Sequence, residues 1–132
     1  MKELTEQLSK IDGKSPASAK YVVAQKGKTG LIAWSPSKYA GMHNIGPLWT
    51  GAVFESKEDA QAITECTDNT YEVLELQAAV FEDIKKQAEA GKSGGEKYGQ
   101  NYIRNIFDHI INDLNLLENP DKYSVKRKME NL

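Results

Sequence analysis

Lys20-Tyr21-Val22-Val23-Ala24-Gln25-Lys26, Gly27-Lys28-Thr29-Gly30 and Leu31-Ile32-Ala33-Trp34 are consecutive, and their reading decides the fold. Two runs rich in β-branched, aliphatic and aromatic residues flank four residues that begin and end with glycine, which predicts a β-hairpin. After it, Ser35 to Thr50 reads as a long loop holding Pro36, Tyr39, Gly41, Met42, His43, Gly46, Pro47 and Trp49. Gly51-Ala52-Val53-Phe54-Glu55 reads as a short third strand. Ser56-Lys57-Glu58-Asp59 then has the form of a helix start, with a serine N-cap and an acid three residues on that suits the positive end of the helix dipole. That helix is expected to run through Ala60, Ala62 and Ile63 to about Cys66. Asp68-Asn69 is a turn signal, and Thr70 to Leu76 reads as a fourth strand.

Beyond residue 76 the period changes from two to that of a helix. Val80, Phe81, Ile84 and Ala88 have helical spacing, and Gly91-Lys92-Ser93-Gly94-Gly95 is expected to end that helix as a flexible connector. Ile103, Phe107, Ile110, Leu114 and Leu117 step by four and three, widened by Ile106 and Ile111, which predicts a long helix from about Glu96 to Leu117. Asn119-Pro120 stops it, and a short basic segment from Lys122 to Leu132 follows. At the other end, Leu4, Leu8 and Ile11 give a short amphipathic helix, broken by Asp12-Gly13-Lys14-Ser15-Pro16. The expected fold is therefore α+β in one domain of 132 residues. A small antiparallel sheet of three to four strands in the order β-β-β-α-β spans 20–76, an N-terminal helix and linker precede it over 1–19, and a helical half covers 77–132. The 103–117 stripe has three possible partners: the sheet, the 77–90 helix, or a second copy of the chain in a homodimer. Two heptads are short for an independent coiled coil, so packing within the chain is the default.

Composition narrows the function classes. Apolar residues make up 39% and charged ones 27%, with 17 basic and 19 acidic side chains, an ordinary globular balance that is not basic overall. The charge is uneven: +4 over 1–54, −7 over 55–96 and +1 over 97–132. Two surfaces of opposite potential follow, which bears on partners rather than on fold. There is no apolar run of bilayer length and no apolar leader after Met1, so the expected setting is the cytoplasm, away from membranes. One cysteine and two histidines exclude an intrachain disulfide framework and a zinc site built from Cys and His alone.

Most places where catalytic chemistry is sought come up empty. Gly27-Lys28-Thr29 and Gly91-Lys92-Ser93 resemble the end of a phosphate-binding loop. The glycine required five residues earlier is Val22 in one and Lys86 in the other. Dinucleotide-binding glycine spacing and the nucleophile elbow are both lacking. His109 and Asp113 are four apart, as metal ligands or a base and its orienting carboxylate would be, yet Asn105, Asp108 and Asn112 beside them fit a solvated polar face. Cys66, with acidic neighbours, reads as a packed or idle thiol. The acids between Glu55 and Glu89 lack metal-loop spacing. No catalytic residue, metal or cofactor is expected.

What remains is a basic hairpin interleaved with aromatics: Lys20, Lys26, Lys28 and Lys38 among Tyr21, Trp34, Tyr39 and Trp49. Lysines can neutralise phosphates while aromatic faces stack on bases, so this is a nucleic-acid surface in outline. Its tryptophans, with Phe54, read first as core. The long loop adds Met42, Ile45 and Leu48, costly to expose without a partner, and these point to protein as readily as to nucleic acid. The candidate binding set is Lys26, Lys28, Trp34, Lys38, Tyr39, Met42, His43 and Trp49.

Tyr21-Val22-Val23, Gly27-Lys28-Thr29-Gly30-Leu31, Trp34, Gly51-Ala52-Val53-Phe54-Glu55-Ser56 and the helix with Glu58, Asp59, Ala60 and Ala62 carry a partial resemblance. This run, about 45 residues over 20–65, resembles the N-terminal hybrid-binding, or viroplasmin-like, domain of ribonuclease H1. The resemblance implies a three-stranded antiparallel sheet with flanking helices that binds RNA/DNA hybrid or RNA duplex backbones, with Lys28 and Trp34 near the binding face. The chain departs from it in a longer, Pro/Gly-broken segment between Trp34 and Gly51 and in the extra strand from Tyr71 to Leu76. The β-β-β-α-β order closed by that strand is also similar to short modules of uncharacterised phage and plasmid proteins, which implies no activity. Two functions are thus expected. The first is a small non-catalytic interaction protein, such as a phage-type inhibitor or regulator that binds a host protein in the host cytoplasm. The alternative is a nucleic-acid-binding module using the hairpin, assisted by Lys126-Arg127-Lys128.

Overall fold

A computed structural model describes residues 19–39, 41–67 and 70–132. The expected N-terminal helix and its break lie outside the described residues, as does the Asp68-Asn69 turn. The hairpin forms as read: β1 (Tyr21–Lys26) and β2 (Leu31–Pro36) pair antiparallel with Ala24 opposite Ala33 and Lys26 opposite Leu31. The Gly27 amide donates to the Gly30 carbonyl at 2.8 Å and closes the turn. The third strand is not where the sequence put it. β3 (His43–Pro47) lies inside the expected loop and pairs with β2, while Val53 and Phe54 make only single bridges, to Ser124 and Tyr21. Glycines and prolines argued against a strand at 43–47, but an edge strand tolerates them because it needs ladder bonds on one side only. The β-β-β-α-β order survives with a different third member.

The Ser56 hydroxyl accepts from the Asp59 amide at 3.2 Å and starts α1 (Lys57–Glu65), as its capping pattern requires. β4 (Glu72–Glu75) follows and pairs antiparallel with β1, giving the sheet order β3-β2-β1-β4. Both faces of the sheet are covered, which is why Tyr-Val-Val-Ala reads as a nearly continuous apolar run rather than a strict alternation. On one face Val22, Ala24, Leu31 and Ala33 pack with Leu76, Val80 and Leu116. On the other Val23 and Trp34 pack with Ala52, Phe54 and Ala60.

Two helices supply the first cover. α2 (Leu76–Tyr98) does not stop at the glycine-rich run; it continues through Gly91, Gly94 and Gly95. The flexible-connector expectation is therefore corrected, and the reason is packing. A Cβ on Gly94 would stand 2.7 Å from the Tyr102 ring and one on Gly95 2.9 Å from Ile103 Cδ1, so the missing side chains let the next helix approach. Each glycine costs a helix about 1 kcal/mol relative to alanine, which interhelix contact offsets. The actual break is Gly99, at φ 83°, a left-handed position that suits glycine. α3 (Gln100–Glu118) follows, so Glu96 belongs to the preceding helix.

The apolar stripe of α3 also divides. Ile106, Asp113 and Leu116 are buried against α2 and the sheet, whereas Phe107, Ile111 and Leu114 stay exposed, on the face where a second copy would have to pack. A short turn of helix, Pro120–Tyr123, leads to α4 (Val125–Glu130), whose Ser124 cap accepts from the Arg127 amide. Part of the basic tail is therefore used internally. Lys128 Nζ donates to the Thr50 carbonyl at 3.0 Å, and burial lowers the pKa of its ammonium. No helix among the described residues is long and apolar enough to cross a membrane.

Candidate functional site

β2 separates the expected binding residues into two groups. Lys26 and Lys28 belong to the hairpin-turn end; Lys38, Tyr39, Met42 and His43 belong to the opposite turn, between β2 and β3. Six residues of strand span ~20 Å, so these groups do not form one basic aromatic surface. Lys26 is partly spoken for by Glu82, at 3.6 Å, while Lys28 projects from the turn. Trp34 is 8% exposed and sits in the core, 5.7 Å ring to ring from Phe54 and 6.5 Å from His43. Lys38 Nζ lies 5.3 Å from the centre of the Tyr39 ring. Tyr39, Met42 and Ile45 are 60, 65 and 58% exposed. Trp49 is half-buried and meets the His109 ring edge-on at 6.4 Å.

Those exposed side chains flank the outer edge of the sheet, and strand geometry shows which backbone groups the edge offers. The Trp34 carbonyl accepts from the Ala52 amide at 3.1 Å, so the polar groups of Trp34 face away from β3. Ile45, directly opposite Trp34, is then in a non-hydrogen-bonded pair and turns its own N–H and C=O outward, as does His43 two residues before it. At the far end of β3 the Pro47 carbonyl is taken by the Thr50 hydroxyl at 2.7 Å. Among the described residues, β3 thus carries open edge groups at His43 and Ile45 beside three exposed apolar side chains.

At the hairpin-turn end the structure reveals a polar group that the sequence reading missed. Asp83 of α2 is 2% exposed, and its carboxylate accepts from the Leu31 amide at 2.6 Å, anchoring the start of β2 to the helix. Asp113 of α3 is wholly buried beside it. Burial first, then a hydrogen bond to Asp83 and the Asp83 charge, raise the Asp113 pKa from its ordinary 3.8 to about 9. As an anion Asp113 would leave both oxygens without a partner. Protonated, it donates to Asp83, and the two acids share one proton. The expectation that His109 and Asp113 lie on a solvated polar face is therefore overturned: His109 is half-buried with Nδ1 inside, and Asp113 is in the core.

A signal for this pair exists in the sequence. Val80, Asp83 and Gln87 step by three and four along α2, and Ile106, His109, Asp113 and Leu116 by three, four and three along α3. An acid occupying a core position on each of two packed helices is the mark of a buried pair. Gly30 completes the arrangement, because a Cβ there would lie 2.6 Å from both Asp83 Oδ1 and Gln87 Nε2. The Gln87 amide can swing aside, but the Asp83 oxygen is held by the Leu31 amide. Gly30→Ala is accordingly expected to cost about 1–3 kcal/mol in urea unfolding, as an overpacked core does. A change within 0.5 kcal/mol of zero, as ~0.5 kcal/mol is typical of a surface site, would contradict that contact.

At the hairpin turn opens a cleft of about 390 Å³, lined by the turn itself, Ile32, the end of β3, Gln87 and His109. No group of three or more His, Cys, Asp or Glu side chains among the described residues is placed to hold a metal ion. Cys66 is an exposed free thiol at the end of α1. Comparison with family models, curated proteins and solved structures gives no match. The functional reading rests on the residues themselves.

Proposed function

We propose that this protein is a non-catalytic interaction module that captures an extended segment of a protein partner along the outer edge of β3. The observation that carries the reading is the coincidence of outward-facing backbone groups at His43 and Ile45 with exposed Tyr39, Met42 and Ile45. Edge strands are normally blunted by lysine, proline or a cover, since an open one is a template for another strand. Proline at position 47 stops the edge at one end, yet the apolar side chains of Met42 and Ile45 are left exposed. Added strands gain affinity from main-chain bonds and specificity from alternate side chains. An inhibitor or regulator, the phage-type expectation included, works in this way, and the cytoplasm is the setting proposed for it.

The alternative, a nucleic-acid module in line with the hybrid-binding resemblance, draws on Lys28 and Lys38 at opposite ends of β2, with the Trp34 ring in the core and Lys26 beside Glu82. It has fewer free groups to work with.

The test is a selection of peptides from a random displayed library, followed by amide hydrogen exchange on the complex. Selected peptides should slow exchange at His43 and Ile45, and Ile45→Lys should weaken them about tenfold or more, as an edge lysine opposes strand addition. Fluorescence-anisotropy titration with single-stranded, duplex and hybrid oligonucleotides forms the second arm. Salt-sensitive binding lost in Lys28→Glu, with no peptide protecting β3, would replace this reading by the nucleic-acid one.

A further inference from the structure

Another cleft, of about 480 Å³, lies between the hairpin turn, one face of α2 and the start of α3. It joins the two fragments that resemble, in the sequence, the end of a phosphate-binding loop: Lys28 and Thr29 of one and Ser93 of the other line it together. Neither is such a loop, since the required glycine is missing from both and Ser93 is in a helix. The fold nonetheless brings their side chains to one place, and Lys86 and Lys97 reach the same cleft from α2. Three ammonium groups therefore line it with one carboxylate, that of Glu89. Lys20 and Lys26 pair with Glu55 and Glu82 at 3.1 and 3.6 Å, whereas among the described residues Lys28, Lys86 and Lys97 pair with no carboxylate. Lys86 Nζ donates to the Gly27 carbonyl at 3.4 Å, which holds it beside the turn that carries Lys28. A concave wall of one charge sign focuses its field and concentrates the opposite ion. The occupant it suits is an anion.

The other end of the cleft is aromatic. The Tyr98 and Tyr102 rings lie 5.0 Å apart, Tyr98 is 59% exposed, and a Cβ on Gly94 would stand 2.7 Å from the Tyr102 ring. Tyrosine faces in a basic groove take flat rings by stacking. Lys86 and Gly94 are eight residues apart on α2, about 12 Å along the helix axis, so the charged end and the aromatic end are separate. That separation suits a molecule whose ring and phosphate are joined through a spacer, as base and phosphate are through the sugar of a nucleotide. A phosphotyrosine carries its phosphate directly on the ring. A carboxylate brings one charge, whereas a phosphate group brings up to about two and three acceptor oxygens, enough to meet more than one ammonium and the Thr29 hydroxyl. We infer that the cleft binds a nucleotide, with phosphate at Lys28 and Lys86 and the base at Tyr98 and Tyr102. Lys97, 5.3 Å from the centre of the Tyr98 ring, stands at the aromatic end, where the next phosphate of a strand would follow. The nucleotide is thus either free or part of a single strand. The cleft shares no residue with β3, so this inference stands apart from the strand-edge reading.

The test titrates adenosine diphosphate, adenosine, pyrophosphate and phenyl phosphate into the isotopically labelled full chain. Nuclear magnetic resonance follows the Lys28, Thr29, Ser93 and Gly94 amides and the two tyrosine rings. Saturable shifts are expected there with the diphosphate, which should bind about tenfold or more tighter than each of the other three and weaken as salt rises. Lys28→Glu and Tyr98→Ala, both at exposed side chains, should each weaken it about tenfold or more, with the spectrum elsewhere unchanged. Where either variant disturbs the spectrum beyond the cleft, Lys28→Gln or Tyr98→Leu replaces it. An absence of saturable shifts at these positions overturns the site. Pyrophosphate or phenyl phosphate binding as tightly as the diphosphate overturns the nucleotide, and so does an affinity unchanged in either variant. A short single-stranded oligonucleotide separates the two sources. Tighter binding than the diphosphate, weakened by Lys97→Glu, supports the cleft with a strand in it; binding no tighter than the diphosphate supports it with a free nucleotide. Peptide protection of β3 without nucleotide shifts removes this inference alone, and nucleotide shifts without peptide protection remove the strand-edge reading alone.

Discussion

Asp83→Ala should lower the stability of the fold by about 2–6 kcal/mol, at about 1–3 kcal/mol for each of two buried donors left unpaired. Two losses combine. The Leu31 amide, which now donates to Asp83 at 2.6 Å, is left buried without an acceptor, and Asp113 loses the oxygen to which it donates. Asp113→Asn should be far milder, because its amide N–H replaces the carboxyl O–H as donor to Asp83. The contrast is sharper with pH. Asp113 titrates near 3.8 in the unfolded chain and at about 9 in the fold. Between those values the folded state holds a proton that the unfolded chain has released. Its contribution is complete below 3.8 and is lost progressively as pH rises to about 9, with a slope of at most about 1.4 kcal/mol per unit. Asp113→Asn has no such proton. Urea unfolding at several pH values between these limits should therefore show the variant gaining on the wild type as pH rises. A constant difference would mean that the two acids share no proton.

How much of this was legible in the sequence depends on whether local signals or tertiary contacts decide each segment. The hairpin, the Ser56 cap and the fourth strand are local, and each forms where its residues indicate, except that the strand is shorter, Glu72–Glu75, and Leu76, read as its end, begins α2. β3 was hidden because an edge strand pairs on one side only, which lets Gly46 and Pro47 sit in it, while Gly51 to Glu55 has strand-like residues but spends its backbone on single bridges. The run through Gly91 and Gly95 was read from propensity, and contact with α3 overrides propensity. The site followed the same division. Exposure of Tyr39 and Met42 follows from a loop that ends in an edge strand. Burial of Asp83 and Asp113 needed the two helices placed side by side, since each acid alone, with Glu82 or Asp108 and Asn112 beside it, looks like part of a charged surface.

The same division separates the two roles that Trp34 has in the sequence, and one substitution tells them apart. Trp34→Ala should destabilise the protein by about 3–5 kcal/mol in urea unfolding, the cost of emptying a core site of its largest side chain. Its ring lies among Val23, Ala52, Phe54 and Ala60, so the cavity would open between the sheet and α1. Trp34→Phe, which keeps a ring beside Phe54, should recover a large part of the loss. A tryptophan that served only to stack on a base would behave otherwise, leaving stability within about 0.5 kcal/mol of wild type while binding fell. Lys28→Glu is the complementary probe, because that side chain is exposed on the hairpin turn and its replacement should leave unfolding nearly unchanged. If both variants lost oligonucleotide binding, the Trp34 result would follow from damage to the core. Only the Lys28 result would then speak for contact with phosphate.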